Sequence, residues 1–132
     1  MGYTHYWQFK ENPKNIKDGG EKFKKAVKLF KKCMKSFPFA LAGGDGTGKP
    51  IITDTKICFN GVGEDSYETC SFALDDADYD YNFCKTARNN YDAAVCVAIL
   101  CFKKCFGEDF SYSSDGDGKD DGWELAHSIL KD

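Results

Sequence analysis

The chain has no run of the roughly 18 to 20 consecutive apolar residues that a helix needs to cross a bilayer. Its longest apolar stretch, AAVCVAILCF from Ala93 to Phe102, reads instead as a core helix, and no membrane partner is expected. A surplus of positive charge is also missing. Eighteen Lys and Arg stand against 21 Asp and Glu, a net charge of -3, which removes the general electrostatic case for nucleic acid. The opening MGYTHYWQFK has neither a basic segment nor a following apolar one, so no secretory signal is expected. Tyr6 stands where N-myristoylation needs Ser or Thr. GxSxG, HExxH and paired-carboxylate signatures are absent, and with them the usual sequence grounds for catalysis.

What the chain does have suits one packed domain over residues 1–132. It is 42% hydrophobic and 15% aromatic, which argues against disorder, and its length is enough to fold without staples. Seven cysteines occur: Cys33, Cys58, Cys70, Cys84, Cys96, Cys101 and Cys105. The number is odd and most have apolar neighbours, so they read as small buried hydrophobes in a reducing cytoplasm. Cys101 and Cys105 share a helical face, but no CxxC or Cys/His pair accompanies them. Neither zinc nor any other metal or cofactor is expected from such spacing.

Periodicity divides the chain into elements. YTHYWQF (3–9) alternates with aromatics on both faces and predicts a strand inside a sheet. In residues 18–37, Phe23, Ala26, Val27, Phe30, Met34 and Phe37 mark one helical face, and the lysines from Lys22 to Lys35 read as the solvated other face. Asp18 is the expected cap and Pro38 the stop. A hairpin is expected from Phe39–Ala42 and Ile51–Phe59, then a strand over 66–74 and an acidic loop, DDADYDYN. A helix capped by Asn89 or Asn90 follows, apolar nearly all round and stopped by Gly107. A short strand in EDFSYSS, a turn in DGDGKDDG and a last helix complete the chain. The fold class is α+β: a mainly antiparallel sheet of four or five strands packed on a central apolar helix, with two helices flanking it.

Two tempting motifs fail on chemistry. GGDGTGKP (43–50) has the letters of a phosphate loop, but Pro50 replaces the metal-binding hydroxyl and no helix follows, so it reads as a turn. DGDGKDDGWEL (115–125) begins like a calcium loop at Asp115 and Asp117. Its sixth and twelfth places hold Asp120 and Ala126, which excludes an EF-hand. Asp120 or Asp121 is the expected cap of the last helix. Of the two histidines, His127 is expected at the surface and His5 inside, hydrogen-bonded.

NFCKTARNNYDAAV (82–95) sets Lys85 and Arg88 beside a helix start, where unpaired N–H groups carry partial positive charge. That pattern suits a phosphate or carboxylate, with Asp92 as a competing internal anion.

Five runs, GYTHYW (2–7), CFNG (58–61), ETCSF (68–72), FCKTARNNYD (83–92) and SSDG (113–116), resemble in this order a group of small uncharacterised proteins of bacteriophages and other large DNA viruses. Such proteins typically read HETF and ARKPYD. Here Tyr67, Cys70 and the pair Asn89–Asn90 depart from that pattern, so no role for a histidine at position 67 carries over. The resemblance implies a viral accessory protein acting in host cytoplasm against a host defence. It directs attention to Tyr3, His5, Asn60, Glu68, Lys85, Arg88, Asp92 and Asp115.

Three functional readings follow. The first is a non-enzymatic binding module for an anionic small ligand or a host protein, using Lys85, Arg88, Tyr3, His5 and Asn60. The second is a metal-dependent phosphodiester hydrolase or nuclease built on Glu68, Asp92 and Asp115. The third is an interaction scaffold.

Overall fold

The alternating aromatic segment forms β1 (Thr4–Phe9), the central strand of a sheet in the computed structural model, which describes residues 3–116 and 121–131. Period two turns His5, Trp7 and Phe9 inward, all at most 3% exposed, while Tyr6 and Gln8 face outward. β1 pairs antiparallel on one side with β5 (Asn82–Lys85) and on the other with β6 (Phe110–Ser114). The register places Lys85 opposite Thr4 and Ser114 opposite His5.

A second antiparallel sheet has the order β2 (Ile51–Thr53), β3 (Lys56–Phe59) and β4 (Cys70–Ala73). The chain is therefore α+β with two three-stranded sheets, where the sequence reading has one sheet of four or five strands. Three local events cause the difference. Ile51–Phe59 is broken by a turn at Asp54 and Thr55 into a tight hairpin. Phe39–Ala42 contributes only an isolated bridge, Ala42 with Asn60. β5 occupies residues that the sequence reading assigns to the approach to a helix.

α1 (Gly19–Met34) buries Phe23, Ala26, Val27, Phe30 and Cys33 and exposes most of its lysines. It starts beside Asp18, whose left-handed backbone (φ 58°) ends the preceding turn while its side chain caps nothing. It stops at Met34, before Pro38. α2 (Asp92–Phe106) is buried on nearly every side, from Ala93 through Phe102, and packs between α1 and α3 (Asp121–Leu130). The central helix and its two flanking helices match expectation. Gly107, at φ 59°, ends α2 in a conformation that costs glycine little. The turn over 117–120 and the choice between Asp120 and Asp121 as the cap of α3 lie outside the described residues.

One hydrophobic core joins these layers. The Phe102 ring stacks on Phe72 of β4 at 4.4 Å and meets Phe23 of α1 and Phe9 of β1 edge-on at 4.9 and 6.1 Å. Trp7 stacks on Phe72 from the first sheet at 4.6 Å. Burying rings of this size contributes about 2 to 3 kcal/mol each, and Phe72 ties the second sheet both to α2 and to β1. None of the seven cysteines is in a disulfide; Cys58 and Cys105 are half-buried and the rest buried. Among the described residues, no helix is long and apolar enough to cross a membrane.

Candidate functional site

The inner face of β1 delivers His5 to the first turn of α2. His5 is fully buried, and its Nε2 lies 2.7 Å from Asp92 Oδ1 while its Nδ1 lies 2.6 Å from Ser114 Oγ. An ionised carboxylate only accepts, so the hydrogen bond to Asp92 is donated by Nε2–H, and Nδ1 is then placed to accept from the Ser114 hydroxyl. Asp92 is only 6% exposed, and its Oδ1 also accepts a short hydrogen bond from Thr86 Oγ1. Cys96, one helical turn after Asp92 and on the same face, brings Sγ to 3.7 Å from His5 Nε2 and 3.9 Å from Asp92 Oδ2. Trp123 of α3 covers the group, its ring edge-on to His5 at 5.4 Å. Its indole N–H is, among the described residues, the one buried side-chain donor with no partner.

Packing around Asp92 is close. A Cβ at Gly122 would stand 2.2 Å from Asp92 Oδ2, so a glycine is what lets α3 approach this carboxylate.

The cations lie at the rim of the same region. Lys85 ends β5, with Nζ 5.9 Å from the Tyr67 ring centre. The Arg88 guanidinium lies 4.1 Å from the centre of the Tyr3 ring, which is buried beneath it. Both are cation–π arrangements. Between strand and helix, Ala87 (φ 53°) and Arg88 (φ 62°) are consecutive left-handed residues, and neither is glycine. That conformation costs about 1 to 2 kcal/mol per residue. Neighbouring bonds hold it: Asn89 Nδ2 donates to the Asp65 carbonyl at 3.0 Å, and the Tyr91 hydroxyl donates to the Glu68 carbonyl at 2.7 Å. Neither Asn89 nor Asn90 caps α2. The helix begins at Asp92 after Tyr91, with no side-chain cap bond.

The remaining candidates divide clearly. Glu68 Oε1 accepts from the Lys85 backbone N–H at 2.7 Å, and Asp115 Oδ2 accepts from the Thr4 backbone N–H at 3.0 Å. With Asp92 turned inward, the three carboxylates serve three different partners. Among the described residues, the one group of three potential metal-ligating side chains with mutually close donor atoms is His5, Asp92 and Cys96, within 4.8 Å of one another. The acidic trio is thus not assembled. Asn60 is buried in the second sheet and held by backbone groups. Its Oδ1 accepts from Gly61 and Tyr67 N–H, and its Nδ2 donates to the Tyr67 and Gly44 carbonyls. It meets the cationic rim through Tyr67, whose ring faces Lys85.

Tyr3, His5, Arg88 and Asp92 are therefore brought together, with Lys85, Glu68 and Asp115 at their edges and Asn60 behind. Sequence reasoning missed Thr86, Ser114, Cys96 and Trp123. One signal pointed to Cys96: it stands four residues after the only charged residue in the first eleven of an otherwise apolar helix.

A groove of about 240 Å³ lies elsewhere, on the outer face of the first sheet, lined by Tyr6, Gln8, Asp80, Tyr81, Tyr112 and Ser113 among others. Neither Lys85 nor Arg88 borders it. Compared with family models, curated proteins and solved structures, the chain matches none.

Proposed function

We propose that the protein is a small accessory binding module of viral type, and that Lys85 and Arg88 receive an anionic group. That group belongs to a small ligand or to an acidic segment of a host protein. The observation carrying this reading is the turn at Ala87–Arg88. Two non-glycine residues hold left-handed backbone there, and strain of this kind persists where the surroundings over-determine it, often at ligand clamps. Its effect is to set a guanidinium on the surface over a buried tyrosine, three residues after a second cation. Asp92 supplies the internal negative charge at the helix start, so the external anion is met by the rim cations and not by the helix end. The resemblance to phage and large-virus proteins supports action against a host defence. Seven cysteines, none of them in a disulfide, suit the reducing cytoplasm of a host cell.

The test is thermal stabilisation by a defined panel: inorganic phosphate, nucleoside mono- and diphosphates, dicarboxylates and an oligoglutamate peptide. At least one member is expected to stabilise the wild-type protein saturably. In the double variant Lys85→Gln, Arg88→Gln its affinity is expected to fall at least about tenfold, the loss of one charge-assisted contact worth about 1.4 kcal/mol. A small-molecule hit and a peptide hit distinguish the two sources of the anion. No stabilisation, or equal stabilisation of the variant, rejects the reading.

A further inference from the structure

We propose that His5, Asp92 and Cys96 form a site for one thiophilic divalent metal ion of the zinc class, independent of the cationic rim. Imidazole nitrogen, carboxylate oxygen and thiolate sulfur are the three side-chain donors that zinc takes, and a set with a thiolate disfavours magnesium and calcium. The three donors come from two elements that the fold holds rigidly: β1 at the centre of its sheet, and the first two turns of the buried α2. Asp92 and Cys96 share a helix face at i and i+4, and His5 closes the triangle from across the core.

The distances are those of a site that needs little movement. Zinc at about 2.0 to 2.1 Å from nitrogen and oxygen and about 2.3 Å from sulfur, with tetrahedral angles, separates its ligand atoms by about 3.3 to 3.6 Å. Cys96 Sγ already stands 3.7 Å from His5 Nε2 and 3.9 Å from Asp92 Oδ2. The three donor atoms lie within 4.8 Å of one another. The 2.7 Å hydrogen bond from His5 Nε2 to Asp92 Oδ1 must open for the ring nitrogen to face the ion, while Asp92 Oδ2, the oxygen that meets Cys96 Sγ, serves as the carboxylate ligand.

Charge and protons also balance. A divalent ion with one carboxylate and one thiolate is neutral, as an interior that buries His5 completely and Asp92 to 6% exposure requires. Binding releases the Cys96 thiol proton to solvent. The His5 proton passes from Nε2 to Nδ1, where Ser114 Oγ at 2.6 Å changes from donor to acceptor. Ser114 on the imidazole and Thr86 on the carboxylate are the outer partners that orient metal ligands. A fourth ligand, water, also has a use here: the partnerless indole N–H of Trp123 belongs to the ring packed on His5.

The experiment uses the full chain, stripped with a chelator and titrated with Zn²⁺ against a chromophoric chelator, and separately with Co²⁺. One zinc per chain is expected, together with a thiolate-to-cobalt charge-transfer band in the near ultraviolet. In Cys96→Ser the band is expected to vanish and zinc affinity to fall at least about tenfold, while Cys101→Ser retains both. The wild-type cobalt spectrum is decisive even if Cys96→Ser does not fold. Absence of the band in the wild-type protein, or its persistence in Cys96→Ser, overturns the site. Neither result bears on Lys85 and Arg88, which the anion panel tests separately.

Discussion

Two buried polar centres in this molecule solve the same problem in different ways. Asn60 sits in the second sheet and answers only to backbone: two N–H groups and two carbonyls from Gly44, Gly61 and Tyr67. His5 and Asp92 sit against the first sheet and answer mainly to side chains, namely Ser114, Thr86 and Cys96. An amide saturated by main chain is a staple for loops: it has no proton to give and no free lone pair. A histidine–carboxylate pair bonded to hydroxyls and a thiol has partners that can reverse between donor and acceptor. The first arrangement fixes architecture and the second retains chemistry, although both are nearly inaccessible to solvent.

Breaking the staple has the largest expected effect. Asn60→Ala leaves the Gly61 and Tyr67 N–H groups without acceptors in a buried site and is expected to cost about 3 kcal/mol. That corresponds to a fall in Tm of roughly 10 °C, read by calorimetry. A drop of only a degree or two means that water replaces the amide and the contrast is false. Disturbing the second centre without touching its side chains is expected to cost less. Gly122→Ala places a Cβ against Asp92 Oδ2, 2.2 Å away in the unrelaxed structure, and forces the carboxylate or α3 to shift. Alanine's helix propensity offsets about 1 kcal/mol of that crowding, leaving a net loss of about 1 kcal/mol by urea denaturation. A gain in stability shows that the carboxylate moves freely.

The smallest effect is expected from mild alkali, acting on buried thiols and a buried phenol outside both centres. Burial, followed by the neighbouring Cys84, raises the Cys70 thiol well above its ordinary range, and burial raises Cys101 and the Tyr91 phenol likewise. Groups whose pKa is higher in the folded chain stabilise it fully below their unfolded values, and that contribution is lost as pH rises towards the folded ones. Denaturation free energy is therefore expected to be flat in this respect below about pH 8 and to decline from about pH 9 upward. The decline is expected to have the same slope in Asn60→Ala, because the amide does not titrate. A steeper slope in the variant contradicts the separation of the two centres.

Much of the frame was legible because it is periodic. Alternation put His5, Trp7 and Phe9 on one side of β1, and an unbroken apolar run marked α2 as the central helix. β5 was not legible. It has four residues, one of them the exposed Phe83, and it lies between an acidic loop and a helix start, where no period has room to show. The split into two sheets escaped as well, because β1 pairs with strands far along the chain and not with a neighbour. The same distance hid the polar centre. Asp92 is 87 positions from His5 and Ser114 is 109, so only the folded topology joins them. Lys85 and Arg88 were visible as a pair of cations, whereas the left-handed turn that displays one of them is invisible in a sequence that offers alanine and arginine there.

The placement of Trp123 gives the protein its own optical reporter. The chain has two tryptophans, and Trp7 is stacked on Phe72. In Trp7→Phe, the remaining indole fluoresces beside the His5 ring, 5.4 Å between centres. Movement of α3 away from β1 changes the surroundings of that indole and therefore its emission, because the ring belongs to one element and packs edge-on against the other. One variant and a fluorimeter thus follow the seating of α3 on β1 in real time, without a label.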